Sequence, residues 1–263
     1  YRDGSPVLTG GTFGAAYAGG NQLDGVRDLV FSTDGKFAYA SVEYSHELSW
    51  FEVNATTGSL SLLGSLEDGV AGVDGLKRVW NLILSPDEKQ IYATGSLDDS
   101  IAWFDRNAST GAVTFSGILK NDQGGAGFLD GAKGLTLSND GGFLYVASSV
   151  DAAVNWYDRN STTGDLSYLG SLRNGVGGID KLMGAQDVAF SPDSIHLYVV
   201  SYEEDSLSWF ERNATSGALN FLGRVEDGVS GVDGLDGPSS LAVSGDGKHL
   251  YVTGNQEHAV AVF

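Results

Sequence analysis

Apolar and polar positions recur along this chain with a step of 53 residues, and within each step they alternate in short runs. Tyr39, Tyr92, Tyr145, Tyr198 and Tyr251 keep the step, as do Trp50, Trp103, Trp156 and Trp209, and Phe51, Phe104, Tyr157, Phe210 and Phe263. Each copy opens with an apolar segment ending in Ser (LVFS, LILS, LTLS, VAFS, LAVS) and a turn that carries Asp. An apolar run around the Tyr follows, then a polar loop and an alternating segment around the Trp. A turn of the form NATTG and a last apolar run complete the copy. That is four strands per copy, with turn chemistry between them and little helical periodicity. Five copies of a four-stranded unit predict an all-β fold: a five-bladed β-propeller of antiparallel blades, one domain over residues 1–263.

The ends continue the pattern. The last copy stops at Phe263, where its equivalents run on as Phe210-Glu211-Arg212-Asn213, and the chain begins Tyr1-Arg2-Asp3. Residues 1–15 are therefore expected to supply the outermost strand of the last blade and close the ring. The abrupt start at Tyr1 reads as a mature product or an excised piece, a monomer or a module of a larger protein.

Composition narrows the partners. Thirty-four acidic against fifteen basic residues give a net charge of −19, which repels nucleic-acid phosphates and anionic lipid. No apolar run is long enough to span a bilayer. The absence of Cys removes disulfides, thiolate zinc sites and thiol catalysis.

Strand order within a blade puts the Asp turn and the NATTG turn on one rim, both near-identical between copies. The other rim carries longer and more varied loops, such as 43-EYSHE-47 and 202-YEEDS-206. The symmetry breaks most where the innermost strand begins. One position holds Arg27, Trp80, Lys133, Gln186 and Ser239, and the next holds Asp28, Asn81, Gly134, Asp187 and Ser240. Arg78 replaces the Gly of the other copies. Strand alternation points Asp28, Asn81 and Asp187 at the tunnel mouth, with Arg27, Trp80 and Lys133 beside them. The candidate ligand-binding set is Arg27, Asp28, Arg78, Trp80, Asn81, Lys133, Gln186 and Asp187. Arg and Lys would pair with an anionic or polar group and Trp80 would stack. Asp28, Asn81 and Asp187 are hard oxygen donors of the kind Ca²⁺ or Mg²⁺ takes, although a water-filled polar mouth explains them with fewer assumptions. Glu43, Tyr44, His46 and Glu47 lie on the same rim and are candidates for acid–base work, weighed against a solvated loop. The Trp series reads as packing between blades, and Asn54, Asn107, Asn160 and Asn213 read as turn residues rather than glycan acceptors.

The words 191-SPDSIHLYVV-200, 138-SNDGGFLYVA-147 and 244-SGDGKHLYVT-253, followed in other copies by DRNASTGAV or ERNATSGAL, resemble the lactonase-type β-propeller family. That family includes 6-phosphogluconolactonase-like and muconate-cyclase-like proteins, whose rings have seven blades. Such repeats also occur as modules of large bacterial surface and secreted proteins. The expectation is accordingly a binding or interaction module of an exported bacterial protein, extracellular, cell-surface or periplasmic. It would take a small-molecule, glycan or protein ligand at the loop-rich mouth. The alternative is a lactonase-like hydrolase of small lactones or esters, metal-assisted if Asp28, Asn81 and Asp187 bind an ion.

Overall fold

The computed structural model describes residues 23–121, 123 and 125–263, and among them it contains strands and turns only. Five sheets follow one another in chain order. The first blade is β1 (Val26–Phe31), β2 (Phe37–Val42), β3 (Glu47–Val53) and β4 (Leu60–Glu67). The second is β5 (Val79–Leu84), β6 (Gln90–Gly95), β7 (Ser100–Arg106) and β8 (Val113–Lys120). The third is β9 (Ala132–Leu137), β10 (Phe143–Ser148), β11 (Ala153–Arg159) and β12 (Leu166–Arg173). The fourth is β13 (Ala185–Phe190), β14 (His196–Ser201), β15 (Ser206–Arg212) and β16 (Leu219–Glu226). The fifth shows β17 (Pro238–Val243), β18 (Leu250–Gly254) and β19 (Ala259–Val262). Every blade is an antiparallel meander, and the innermost strands β1, β5, β9, β13 and β17 pack side by side in that order. This is the five-bladed propeller arrangement expected from the repeat. The pairing expected of residues 1–15 lies outside the described residues.

The repeated words now have physical jobs. In each turn between the first two strands of a blade, the Ser hydroxyl donates to the Asp carboxylate two residues on: Ser32 to Asp34 at 2.7 Å, Ser85 to Asp87 at 2.6 Å, Ser191 to Asp193 at 2.6 Å. The same carboxylate accepts the backbone N–H two residues further, closing the turn. Between the third and fourth strands, Asn54, Asn107, Asn160 and Asn213 each accept two backbone N–H groups on their side-chain oxygen. This is the turn role assigned to them above. The Trp series packs as expected: Trp50, Trp103 and Trp156 are buried against neighbouring blades. A Gly on the fourth strand lies opposite each. An added Cβ on Gly170 would stand 2.4 Å from Trp156 Cζ2.

The core lies between blades, not within them. Tyr39 and Trp50 of the first blade pack with Leu76, Leu82, Ile91, Phe104 and Val113 of the second, and the grouping repeats at the next junctions. A buried polar clasp ties the first two junctions, and at the third Tyr145 donates to the carbonyl of Gly217 at 2.7 Å while Arg212 Nε turns to the Ser194 carbonyl. Tyr92 donates to the carbonyl of Gly164 at 2.8 Å, and Arg159 Nε donates to the Tyr92 hydroxyl at 2.7 Å. Tyr39 is held in the same way by Gly111 and Arg106. The outward flanks of the end blades lack this cover among the described residues. Val26 and Phe31 on β1 and Val260 and Val262 on β19 are exposed. Tyr251 is 42% exposed where Tyr39, Tyr92 and Tyr145 are fully buried, and Val53 stands where the other blades have the clasping Arg.

Candidate functional site

All five innermost strands carry a β-bulge at their first residues. The ladder register shifts between Val26 and Asp28, between Val79 and Leu82, at the start of β9, between Ala185 and Asp187, and between Pro238 and Ser240. The residues inside these bulges include Arg27, Trp80, Lys133, Gln186 and Ser239. A bulge re-aims side chains that simple alternation would send elsewhere. This separates the two sets that alternation placed together at the mouth.

The bulge residues form a chain of contacts across four blades. The Arg27 guanidinium carbon lies 3.1 Å from the centroid of the Trp80 ring, and Lys133 Nζ lies 4.5 Å from it. Lys133 Nζ donates to Gln186 Oε1 at 2.7 Å, and Gln186 is buried. Glu43, from the loop between β2 and β3, is also buried, and its carboxylate accepts from Arg27 Nη1 at 3.2 Å and from Arg78 Nε at 2.6 Å. The cluster thus gathers three cations around one aromatic ring and one doubly paired carboxylate, on a chain whose overall charge is −19. Trp80 is accordingly a platform already covered by Arg27 and Lys133, rather than the free stacking surface expected of it. Burial, reinforced by the charges of Arg27 and Arg78, pushes the Lys133 ammonium down to about 8.

Arg78 keeps the backbone of the glycines it replaces. Its φ is +55°, and the equivalent positions Gly25, Gly131, Gly184 and Gly237 have φ between +60° and +77°. A side chain there is held in the left-handed region at a cost of about 1 kcal/mol. Such strain gathers at functional sites.

Asp28 and Asp187 are placed differently. Asp28 accepts the N–H of Leu29 on one oxygen at 2.8 Å and that of Leu82, in the next blade, on the other at 2.9 Å. Asp187 does the same with Val188 and Leu241, and also accepts from the Ser240 hydroxyl. Burial, with a smaller contribution from the Asp28 charge, raises the Asp187 carboxyl above its ordinary range. The contact of Asn81 is through its backbone N–H, to Thr94 Oγ1 at 3.3 Å. These carboxylates are staples between inner strands. Each oxygen of both carboxylates already accepts a backbone N–H, so tying neighbouring inner strands accounts for their placement. Asp68 and Asp74 of the loop before β5 lie together with Asp98 of the β6–β7 loop, but Lys120 pairs with Asp74 at 2.7 Å and with Asp98 at 3.5 Å.

Of the predicted set, the structure brings together Arg27, Arg78, Trp80, Lys133 and Gln186, and assigns Asp28 and Asp187 to blade-to-blade bonding. It adds Glu43 as the hub. The signal was in the sequence: the equivalents of Glu43 are Ser96, Ser149, Tyr202 and Asn255, none of them charged.

Comparison with known proteins agrees with the repeat words. The chain is 22% identical over 153 residues to a 6-phosphogluconolactonase of Pectobacterium carotovorum, covering 58% of this chain and 44% of that protein. It is 21% identical over 161 residues to a 6-phosphogluconolactonase of Blochmanniella floridana, covering 60% and 45%. The aligned region is thus less than half the length of either. Among solved structures, the Pseudomonas aeruginosa periplasmic gluconolactonase superposes with a TM-score of 0.69 at 21% identity, over 89% of this chain and 64% of that one. These matches overturn the expectation of a binding or interaction module, because they side with the lactonase-like alternative. The family described as lactonase, 7-bladed beta-propeller, matches residues 15–179 and 178–263. With nearly its whole length matched, the chain belongs to the lactonase β-propeller family.

Proposed function

We propose that this protein is a lactonase-type hydrolase that opens small lactones carrying an anionic group, at the cluster of Arg27, Arg78, Trp80, Lys133 and Gln186. The observation that carries the reading is the gathering of three cations on the bulges and loops of one rim, where the other repeats place uncharged residues. The names of the relatives support the reaction class. Fold alone would not, because propellers host unrelated chemistries.

In this reading the two arginines hold the substrate's anionic group. Trp80 and Glu43 hold the arginines, so little ordering remains for the moment of binding. Lys133 is the proton acceptor. With its amine near 8, about a tenth is neutral at pH 7, a base poised close to working pH. It takes a proton from the water that attacks the ring carbonyl. The carbon–ring-oxygen bond then breaks and the leaving oxygen is protonated, giving the hydroxy acid. The periplasmic name of the Pseudomonas relative supports a site outside the cytoplasm.

The test is ring opening of glucono-δ-lactone and its 6-phosphate, measured above the spontaneous rate. Turnover is expected, with Lys133→Met slower by about 100-fold or more and Arg78→Ala raised mainly in KM. A folded chain without turnover on any lactone would overturn the reading.

A further inference from the structure

We infer that His46 is the positioning residue for Arg78, and that it makes the arginine end of this site sensitive to protonation. The inference rests on the site assigned above, but its central measurement needs no turnover.

The repeat itself exposes the role. In the second blade, Asp99 Oδ1 accepts the N–H of Gly131 at 2.9 Å; in the fourth, Asp205 Oδ1 accepts the N–H of Gly237 at 2.9 Å. In the first blade the same bond, over the same separation of 32 residues, is made by His46: its Nδ1 lies 2.9 Å from the N–H of Arg78. A carboxylate, which only accepts, has been replaced by an imidazole nitrogen, which accepts or donates according to where the ring carries its proton. The replacement falls on the one blade whose bonded N–H belongs to a charged residue rather than a glycine.

His46 Nδ1 is also 2.9 Å from the carbonyl oxygen of Glu43. The two contacts are mutually exclusive. Arg78 N–H is a donor only and needs an unprotonated Nδ1, as in the neutral ring with its proton on Nε2. The Glu43 carbonyl is an acceptor only and needs Nδ1–H. Protonating the ring therefore transfers its bond from the Arg78 backbone to the Glu43 backbone. Arg78 is then left with a left-handed backbone and one anchor fewer, while its guanidinium keeps only the Glu43 carboxylate.

Among the described residues, the titratable groups beside this ring include Glu43, Tyr44 and Glu47 on its own hairpin, with Asp24, whose carbonyl accepts the Tyr44 N–H at 3.1 Å. From the loop before β5 they are Arg78 and Asp68, whose N–H donates to the His46 carbonyl at 3.0 Å. Arg27 reaches the cluster through Glu43.

The test uses two variants that the repeat has already shown to be compatible with the backbone. Asp99, Asp205 and Ala152 occupy this position with φ of +50°, +47° and +49°, against +57° for His46. His46→Asp restores a permanent acceptor and His46→Ala removes it. Amide exchange at Arg78 and the imidazole ¹⁵N shifts of His46 are followed by NMR from pH 5 to 8 without ligand. Affinity for gluconate, whose carboxylate stays ionised over that range, is measured in parallel. In the wild type, Arg78 amide protection and gluconate affinity are expected to fall together by about tenfold as the ring protonates. His46→Asp should keep both nearly flat, and His46→Ala should give the low-pH values at every pH. Arg78 protection unchanged from pH 5 to 8 in the wild type, or the same pH profile in His46→Asp, would overturn the inference. Failure of the gluconate arm alone, with the amide arm as expected, would count against the proposed substrate class and leave the His46 device in place.

Discussion

Lys133 carries an electrostatic cost that can be measured. Its amine falls from an ordinary 10.5 to about 8 in the folded chain, chiefly through burial and then through the charges of Arg27 and Arg78. At pH 7 the folded protein must still carry the proton, so the ammonium is a liability. The sign follows from proton counting: between pH 8 and 10.5 the unfolded chain binds more protons than the folded one, and stability from this group rises with pH. At 1.36 kcal/mol per pH unit the full window corresponds to about 3.4 kcal/mol. Lys133 is partly open to solvent, and screening brings the figure nearer about 2 kcal/mol. Lys133→Met removes the liability but also removes the donor to Gln186, a loss of about 1 kcal/mol. Net stabilisation of about 1 kcal/mol at pH 7 is expected, together with loss of lactone turnover. The decisive quantity is the difference between variant and wild type in urea denaturation, taken at pH 7 and again at pH 10.5. The Gln186 term is common to both and cancels. The advantage of the variant should shrink by about 2 kcal/mol on going to high pH. A difference that does not change with pH would refute the account of this lysine.

Two further outcomes test the frame that holds the site. Arg159 is buried and donates to Tyr92, Gly141, Asp87 and Gln90 from a neighbouring strand or blade, so Arg159→Leu should destabilise by about 3 kcal/mol in urea denaturation; a change below about 1 kcal/mol would show that the clasp is incidental. Gly170→Ala drives a methyl into Trp156 and should lower stability by about 2 kcal/mol and alter the near-ultraviolet circular dichroism, whereas unchanged spectra would mean that the strand yields easily.

The strands and turns were legible because the repeat displays them five times over. A Ser two residues before an Asp, or an Asn before Thr-Gly, can be read as turn chemistry once it recurs at one spacing. The bulges were not legible. Alternation assumes an unbroken ladder, and nothing in Val26-Arg27-Asp28 announces the extra residue that turns Arg27 toward Trp80. Asp28 and Asp187 were misread for the same reason: their partners are backbone N–H groups of the next blade, which carry no sequence signature. Glu43 was visible as a charge where its equivalents have none, but the two arginines it joins are 16 and 35 residues away. The choice between a hydrolase and a binding module was not legible in composition; only the resemblance of the repeat words pointed to the lactonase alternative.

The Tyr–Arg–Gly clasp has a consequence for how such proteins change size. Each one is a handshake between immediate neighbours and carries no record of how many members stand in the circle. Duplicating or deleting a 53-residue unit would therefore leave every surviving handshake chemically intact. The bill for such an edit falls instead on the cationic rim, where Arg27, Trp80, Lys133 and Gln186 occupy four consecutive units and only their order keeps them in touch.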